Sequence, residues 1–383
     1  MDLSTFSDQA PGHFVATFDG AKAYVPAPLP PELDLSDITA PLTNAAAALG
    51  ELKGACRRLQ NPDVVVRPLQ RREAVTSSAM EGTFTSDDEL LLAEAGQEAH
   101  GNDSTREVYN YIRALNASLD LMRELPLSQR VLKTAHATLL SGLSPHRGSK
   151  KRPGEYKADQ NWIGNGGLLI SQARFVPPPP QETQVCMNAL EAYINRPTVD
   201  LPILDLALTH YQIETIHPFS DGNGRVGRML ICLQSVYYNI LEMPVLYMSS
   251  ALEGEKDDYI RLMYNVSANA EWNPWIAFFM DKLSQSCRST IETIDGIIAL
   301  QEDYRTRAAA SMRSSNIVTL VDKIFGNYVT TVPETATALG VSYPAARNMI
   351  DKLVEIGLLR ELPGQYPKVF YAPEILRISS SNA

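Results

Sequence analysis

The stretch HPFSDGNGRVGR, His217–Arg228, joins two helical segments and constrains the fold more than any other part of the chain. The segment that follows, GRVGRMLICLQSVYYNIL, is apolar on most faces, which predicts a buried central helix. Pro218 disfavours the helical conformation at His217, so the preceding helix, which starts at about Ile203, should end there. We therefore expect a polar turn that opens a buried helix, with the His217 imidazole at the rim of that turn.

The residue types in this turn suit a bound anion. Gly222 and Gly224 allow positive φ and close approach of the backbone, and the N–H groups at a helix N-terminus attract phosphate. Asp221 supplies a hard oxygen of the kind that Mg²⁺ accepts beside phosphates. Arg225 and Arg228 lie in the first turns of the helix, where positive charge costs about 0.3–1 kcal/mol each unless an anion offsets it. The turn therefore predicts a phosphate site.

Each of these residues also has an ordinary explanation. His217 could simply end a helix, although a histidine with a pKa near about 6.5 can also accept a proton at neutral pH. The DGNG sequence is a common turn, and the two arginines could lie on a solvated face. A second GNG, Gly164–Gly166, lies between β-prone runs with no His, acid or Arg beside it, and it predicts a plain hairpin turn. Only the stretch at His217 combines all the flanking groups.

Composition limits the class of protein. A chain of 383 residues favours two or three domains. The net charge of −10, from 34 basic and 44 acidic residues, disfavours a protein that binds nucleic acid mainly by charge. Four scattered cysteines without a C-x-x-C pair predict neither a disulfide framework nor a zinc site. Since the sequence has neither a signal segment nor an apolar run of about 18 residues, we expect a cytoplasmic protein without a membrane span.

Periodicity predicts a mostly α chain with four parts. These are an N-terminal arm and helical region (1–115), a helical core (116–290), a linker helix (291–315) and a C-terminal domain (316–383). The Pro-rich start is expected to be irregular, and a helix is expected to follow Pro68 and stop at Gly82. The region from Gly154 to Pro180 predicts a β-hairpin followed by a stiff proline spacer. The C-terminal order of helix, helix–turn–helix and hairpin resembles a winged-helix domain.

The stretch at His217 resembles, position by position, the motif H-P-F-x-[D/E]-G-N-G-R-x-x-R of the Fic (filamentation induced by cAMP) domain family. The resemblance covers roughly Pro31 to Leu283. It implies a Fic-type helical core, ATP and Mg²⁺, and transfer of AMP to a Tyr, Thr or Ser hydroxyl of a target protein. In that case His217 takes the proton of the attacking hydroxyl, and Asp221 holds Mg²⁺ between the α- and β-phosphates.

The resemblance also assigns the rest of the turn. Gly222, Asn223 and Gly224 would form the anion hole for the phosphates. Arg225 and Arg228 would bind the phosphate tail, with Arg228 near the γ-phosphate. Phe219 would be an apolar anchor for the loop.

A second family motif, [S/T]-x-x-x-E-[G/N], matches SSAMEG and marks an inhibitory helix. The resemblance implies that Glu81 enters the nucleotide site, pairs with Arg228 and displaces the γ-phosphate. Ser77, on the same helical face, would hold Glu81. From the residues alone, an ordinary solvated glutamate is the alternative. Because the motif precedes the core, the chain resembles the class with an N-terminal inhibitory segment, which in the family often accompanies a homodimer.

Two other segments take expected roles from the resemblance. The hairpin between Gly154 and Pro180 lies where the family has its flap, which docks an extended target segment by strand pairing. A plain structural hairpin is the alternative. Tyr259 is the candidate for contact with the adenine base, and a core position is the alternative.

The expected fold of the C-terminal domain is typical of DNA-binding domains, but its balance of basic and acidic residues is not. Between Ile317 and Arg377 the sequence has six Lys or Arg and six Asp or Glu, whereas a DNA reader usually carries a basic excess. We therefore favour target recruitment or self-association over DNA binding.

Two alternatives for the whole chain stay open. One is a Fic relative that transfers another phosphate-bearing group or removes AMP, and the other is a DNA-binding regulator with a nucleotide-sensing core. Self-modification on a tyrosine is a further option.

Overall fold

The computed structural model describes residues 1–59, 61–96, 102–164 and 169–380, which are mostly helical. The helices are α1 (Thr39–Cys56), α2 (Asp63–Ala79), α3 (Asp87–Glu94), α4 (Asp103–Leu121), α5 (Gln129–Leu139), α6 (Pro180–Ile194), α7 (Pro202–Ile216), α8 (Asn223–Tyr237), α9 (Ser249–Glu253), α10 (Lys256–Asn269), α11 (Trp272–Ser311), α12 (Ser315–Gly326), α13 (Val332–Leu339), α14 (Tyr343–Glu355) and α15 (Pro373–Ser380). The strands are β1 (His13–Ala16), β2 (Lys22–Val25), β3 (Val329–Thr331), β4 (Arg360–Leu362) and β5 (Val369–Tyr371). The chain divides into two compact units: Met1–Gly50 with Asn110–Ser286, and Glu51–Tyr109 with the chain from Cys287 onward.

Helices α7 and α8 form the centre of the first unit, where they pack against each other. Every residue of α8 from Val226 to Ser235 is buried, which confirms the predicted central helix. The fully buried Trp275 of α11 donates its indole N–H to the carbonyl of Ala207 in α7, at 3.1 Å. Buried contacts therefore fix both helices that flank the polar turn.

The N-terminal arm contains a β-hairpin, so the prediction of an irregular arm is wrong. Strands β1 and β2 pair antiparallel, with His13 opposite Val25. The turn between them includes Asp19 and Gly20, and Gly20 has φ +80°. Asp-Gly is a strong hairpin signal, but the prolines around it outweighed this signal in the prediction.

Helix α2 begins at Asp63, five residues before Pro68, so the prediction that it follows Pro68 is wrong. A proline inside a helix removes one backbone hydrogen bond. Here the flanking run Val64–Val66 is buried, and α2 packs against α12 and α15. Burial of these apolar side chains stabilises the longer helix against the loss of that bond.

A buried ionic network holds α2 within the second unit. Arg71 of α2 donates to Asp87 at 2.9 Å and lies 3.4 Å from Glu94 of α3. Tyr328, which precedes β3, donates its hydroxyl hydrogen to Glu94 at 2.8 Å. Burial raises the pKa of Glu94, while the charge of Arg71 and the hydroxyl of Tyr328 oppose that rise. The network ties α2 to α3 and to the C-terminal segment.

The C-terminal segment has the predicted order of three helices and a hairpin, as α12, α13, α14 and the pair β4–β5. Its sheet order is β3-β5-β4, all antiparallel. Strand β3 and helix α15 were not predicted, because a three-residue strand has too short a pattern to recognise without its partner. On α14, Arg347 pairs with Asp351 at 2.8 Å and Lys352 pairs with Glu355 at 2.9 Å. The basic groups of this helix are therefore already matched by acids.

The predicted flap region is only partly regular. Among its described residues, strand pairing is limited to one antiparallel bridge between Ile163 and Phe175. The turn predicted at Gly164–Gly166 lies mostly outside the described residues. The proline run is shorter than the predicted spacer, because Pro180 is already the first residue of α6. Proline is favoured there, since the first helical residues need no N–H donor.

Candidate functional site

His217 ends α7 in the left-handed conformation, with φ 49° and ψ 60°. Its N–H still bonds to the carbonyl of Ile213 at 3.0 Å, so the chain leaves the helix immediately after this residue. The ring Nδ1 lies 3.3 Å from the carbonyl of Glu214. Because a carbonyl only accepts hydrogen bonds, Nδ1 carries the proton in the neutral ring and the lone pair is on Nε2. The imidazole therefore has the tautomer that a general base needs at Nε2.

Helix α8 begins directly after Gly222, which has φ +75°. The backbone N–H groups of Asn223, Gly224 and Arg225 precede the first intrahelical bond, which runs from Val226 to Gly222 at 3.1 Å. A helix N-terminus with such N–H groups is an anion site. The structure thus places the predicted phosphate-binding residues at one helix end.

The side chain of Asn223 is used inside the turn. Its Oδ1 accepts the N–H of Phe219 at 2.8 Å, and its Nδ2 donates to the carbonyl of Phe219, also at 2.8 Å. Phe219 is fully buried, as an apolar anchor should be. With both amide atoms engaged, Asn223 can contribute to an anion hole through its backbone N–H.

Asp221 lies at the mouth of this helix end. Its Oδ1 accepts the N–H of Gly222 at 2.7 Å and lies 3.6 Å from the guanidinium of Arg225. Its Oδ2 lies 3.7 Å from Nζ of Lys151. Among the described residues, no group of three or more His, Cys, Asp or Glu is placed to hold a metal. One carboxylate completed by phosphate oxygens is a donor set that Mg²⁺ accepts, so the residues fit this ion.

Arg225 and Arg228 are both buried, at 2% and 4% exposure. They are three residues apart in α8 and so share one face of its first turns. Positive charge near the N-terminus of a helix is unfavourable by itself, and Oδ1 of Asp221, 3.6 Å from Arg225, offsets part of it. A polyphosphate at the same helix end would offset both charges.

His136 of α5 belongs to the site, and the sequence analysis did not identify it. Its Nε2 donates to the carbonyl of Asp221 at 3.1 Å, and its Nδ1 accepts the N–H of Gly154 at 3.0 Å. The ring stacks on Phe219 at 4.0 Å between centroids. Burial lowers the pKa of His136 to about 4, which keeps the ring neutral. Nothing in the sequence around His136 distinguishes it from any histidine on a helix.

Tyr259 of α10 is buried and does not lie in the turn itself. Its hydroxyl lies 2.9 Å from Nε2 of His210 in α7, and Nδ1 of His210 lies 3.2 Å from the carbonyl of Gly227 in α8. Tyr259 is thus linked to α8 through His210. Burial lowers the pKa of His210 to about 3, with the charge of Arg228 acting in the same direction. Contact of Tyr259 with the adenine base stays a prediction.

The predicted inhibitory pair belongs to the second compact unit. Ser77 lies in α2 and is fully buried. Glu81 was expected in the last turn of that helix, but α2 ends at Ala79 and Glu81 lies exposed in the turn that follows. Its N–H bonds to the carbonyl of Ser78 at 3.0 Å, three residues back, so the helical spacing is lost there. Glu81 therefore lies outside the helix that carries Ser77, and a contact between the two residues stays a prediction.

The fold and the turn define a class of protein in which a histidine at the end of one helix, α7, is followed by a glycine-rich turn and the N-terminus of the next helix, α8. Two family models match the chain. The model described as Fic/DOC family N-terminal matches residues 39–120, and the model described as Fic/DOC family matches residues 126–235. The chain belongs to the Fic/DOC family, as the motif at His217 indicated.

Curated relatives include a protein adenylyltransferase Fic from Aedes aegypti, 30% identical over 122 residues, which are 31% of this chain and 21% of the relative. The same protein from Drosophila yakuba is 24% identical over 193 residues, which are 49% of this chain and 35% of the relative. The chain therefore spans about a fifth to a third of the length of these relatives.

Two solved structures share the fold. A Fic family protein from Desulfovibrio desulfuricans G20 has a TM-score of 0.55 at 21% identity, covering 90% of this chain and 98% of that one. A Fic domain containing signaling protein from Bacteroides thetaiotaomicron has a TM-score of 0.50 at 22% identity, covering 65% and 97%. These similarities confirm the mostly α Fic core. Within the described part of the chain, every helix is too short or too polar to cross a membrane.

Proposed function

We propose that the chain is a protein adenylyltransferase that transfers AMP from ATP to a hydroxyl side chain of a target protein. The supporting observation is the arrangement at one turn. The bond from Nδ1 of His217 to Glu214 directs the lone pair to Nε2, and the helix that starts six residues later presents backbone N–H groups and carries two buried arginines. This combination supplies a base and an anion site a few residues apart.

In the proposed reaction the target hydroxyl attacks the α-phosphorus of ATP. A bond forms between the hydroxyl oxygen and phosphorus, and the bond from phosphorus to the oxygen that bridges to the β-phosphate breaks. Nε2 of His217 accepts the hydroxyl proton, and pyrophosphate leaves. The N–H groups of Asn223, Gly224 and Arg225 stabilise charge on the phosphate oxygens, in a site whose geometry exists before the substrate binds.

The charges around the turn suit this substrate. Arg225 and Arg228 face the negative phosphate tail from the start of α8. Asp221 would hold Mg²⁺, with its side chain 41% exposed at the mouth of the site. When bound, the ion stabilises the negative charge that develops on the leaving pyrophosphate.

Glu81 is proposed as an inhibitory group that occupies the place of the γ-phosphate against Arg228. The proposal rests on the SSAMEG sequence and on the exposed position of Glu81 beyond the end of α2. A carboxylate in that place would exclude the γ-phosphate from Arg228, so removal of the side chain should raise activity.

Purified wild type, Glu81→Gly and a matched control should be incubated with a target lysate and with ATP labelled at the α- or the γ-phosphate. Glu124→Gly is the control, since Glu124 is also an exposed glutamate in the turn after a helix. We expect transfer of the α-label to protein by Glu81→Gly, at least about tenfold above wild type and Glu124→Gly. His217→Ala in the Glu81→Gly background should abolish it.

Three results would contradict the proposal. Transfer of the γ-label alone would mean a kinase, and removal of AMP from a labelled protein without transfer would mean the reverse activity. Equal transfer by the folded Glu81→Gly and Glu124→Gly variants would refute autoinhibition. Mass spectrometry of the labelled proteins would identify the target and the modified hydroxyl, including any tyrosine of the chain itself.

For the C-terminal domain we propose recruitment of the target or self-association, rather than DNA reading. The ion pairs of Arg347 and Lys352 on α14 support this, because basic groups that already have acidic partners gain less from phosphate. Salt-resistant binding to a specific DNA site would favour the alternative of a DNA-binding regulator. Light scattering at several protein concentrations tests the proposed homodimer.

A further inference from the structure

Four consecutive backbone carbonyls at the catalytic turn accept hydrogen bonds from one short segment in the first part of the predicted flap region. Nζ of Lys157 donates to the carbonyls of Ile216 at 3.3 Å and His217 at 3.0 Å, and its backbone N–H donates to Pro218 at 2.9 Å. Nδ2 of Asn161 donates to the carbonyls of His217 at 3.1 Å and Phe219 at 3.0 Å. Lys157 and Asn161 together form what we call the carbonyl clamp.

The turn needs such support because its backbone is strained. His217 is one of the few residues other than glycine with positive φ in the described chain, and a β-carbon in this conformation costs about 1–2 kcal/mol. Pro218 directly after it cannot donate a backbone hydrogen bond. The carbonyls of Ile216 and His217 are also the negative end of α7, where an ammonium is favourable.

Lys157 is built into this position. It is only 3% exposed, and its Nζ also donates to Oδ1 of Asn161 at 2.7 Å. Burial lowers the pKa of Lys157 to about 7, and three oxygens lie within 3.3 Å of its Nζ as hydrogen-bond acceptors. The two clamp side chains therefore hold each other as well as the turn.

The same segment is continuous with the strand bridge of the predicted flap region. Gln160, between the two clamp residues, donates to the carbonyl of Pro177 at 2.9 Å. Two residues after Asn161, Ile163 forms the bridge to Phe175. The base of the flap and the backbone of the catalytic turn are thus connected through five residues, 157–161.

We propose that Lys157 and Asn161 are positioning residues that set the backbone conformation at His217 and thereby the direction of its imidazole relative to the flap. Neither side chain contacts the reacting atoms in this account. The consequence for catalysis rests on the proposed adenylyl transfer, whereas the consequence for the turn is measurable without it.

The test uses the full chain with Glu81→Gly, into which Lys157→Met or Asn161→Ala is introduced. We expect kcat for AMP transfer to fall about 100-fold, because a displacement of the base by about 1 Å has an effect of that size. The dissociation constant for ATP should change less than about twofold, since the N-terminus of α8 is intact. Hydrogen exchange at the amides of His217 and Phe219 should accelerate at least about tenfold.

Each variant has a matched control in the same unit. Lys282→Met removes another buried lysine, 5% exposed, which pairs with Glu255 away from the turn. Asn195→Ala removes another half-buried asparagine whose Nδ2 donates to two carbonyls. Thermal unfolding shows whether clamp and control variants lose similar stability, and we expect only the clamp variants to lose kcat.

The outcomes separate the two proposals. If the controls lose as much kcat as the clamp variants, or if exchange at the turn is unchanged, the positioning role is refuted. If Glu81→Gly itself transfers no AMP, the proposed function fails, and faster exchange in the clamp variants would still support their action on the turn. If Lys157→Met does not fold, Asn161→Ala, at a half-buried position, tests the positioning role by itself.

Discussion

The buried histidine of α7 makes the first unit sensitive to acid. Burial lowers the pKa of His210 to about 3, whereas an unfolded chain has a histidine pKa of about 6.5. Above pH 6.5 both states are neutral and His210 adds nothing to the pH dependence. As the pH falls below about 6.5 the unfolded state binds a proton that the folded state refuses, so the free energy of unfolding decreases until the pH approaches the folded pKa.

The size of the effect follows from the two pKa values. Lowering the pH from about 7.5 to about 5 should cost about 2 kcal/mol for His210. His136, whose pKa burial lowers to about 4, should add a similar loss of about 2 kcal/mol. The wild type is therefore expected to lose about 4 kcal/mol, and His210→Gln about half of that between the same two pH values.

Tryptophan fluorescence during urea denaturation measures the free energy of unfolding of the first compact unit, because Trp162, Trp272 and Trp275 all belong to it. His146→Gln, which removes an exposed histidine, is the matched control and should keep the full acid loss. The reasoning is refuted if the wild type is as stable at about pH 5 as at about pH 7.5. It is also refuted if His210→Gln loses as much as His146→Gln.

Three substitutions test other parts of the structure. Gly222→Ala should lower the free energy of unfolding by about 1–2 kcal/mol, because φ is +75° and a β-carbon would lie 3.2 Å from a leucine of α5; equal stability in denaturation would contradict this. Tyr328→Phe should cost about 1.5–3 kcal/mol by removing the donor to buried Glu94, whereas the same change at Tyr366, which is fully exposed, should leave the thermal unfolding temperature unchanged. Asp221→Asn, made in the de-inhibited background, should reduce AMP transfer about 100-fold with little change in stability, and undiminished transfer at limiting magnesium would exclude Asp221 as the ligand.

The conformation of the turn at His217 could be predicted because the rules that set it act between neighbouring residues. Pro218 excludes a helical His217, Gly222 permits the left-handed step into α8, and the two arginines follow at helical spacing. The buried α8 could also be predicted, since its apolar residues face every direction. These features depend on local sterics and on the side chains themselves, so they can be predicted without knowledge of the fold.

Contacts between distant parts of the chain could not be predicted in this way. Lys157 and Asn161 meet the turn about 60 residues later, and His136 meets Asp221 across 85 residues. Each of these side chains has an ordinary sequence context, and only packing brings it to its partner. The same holds for the start of α2, where burial of three valines overrides a proline.

The sequence by itself therefore determined which groups are present at the turn and in what order, because bonded neighbours constrain one another directly. The tertiary structure decided how the turn is held and that Tyr259 is linked to α8 through His210. Hydrogen bonds of this kind join residues that are far apart in the chain, and their geometry is set by the packing of whole helices.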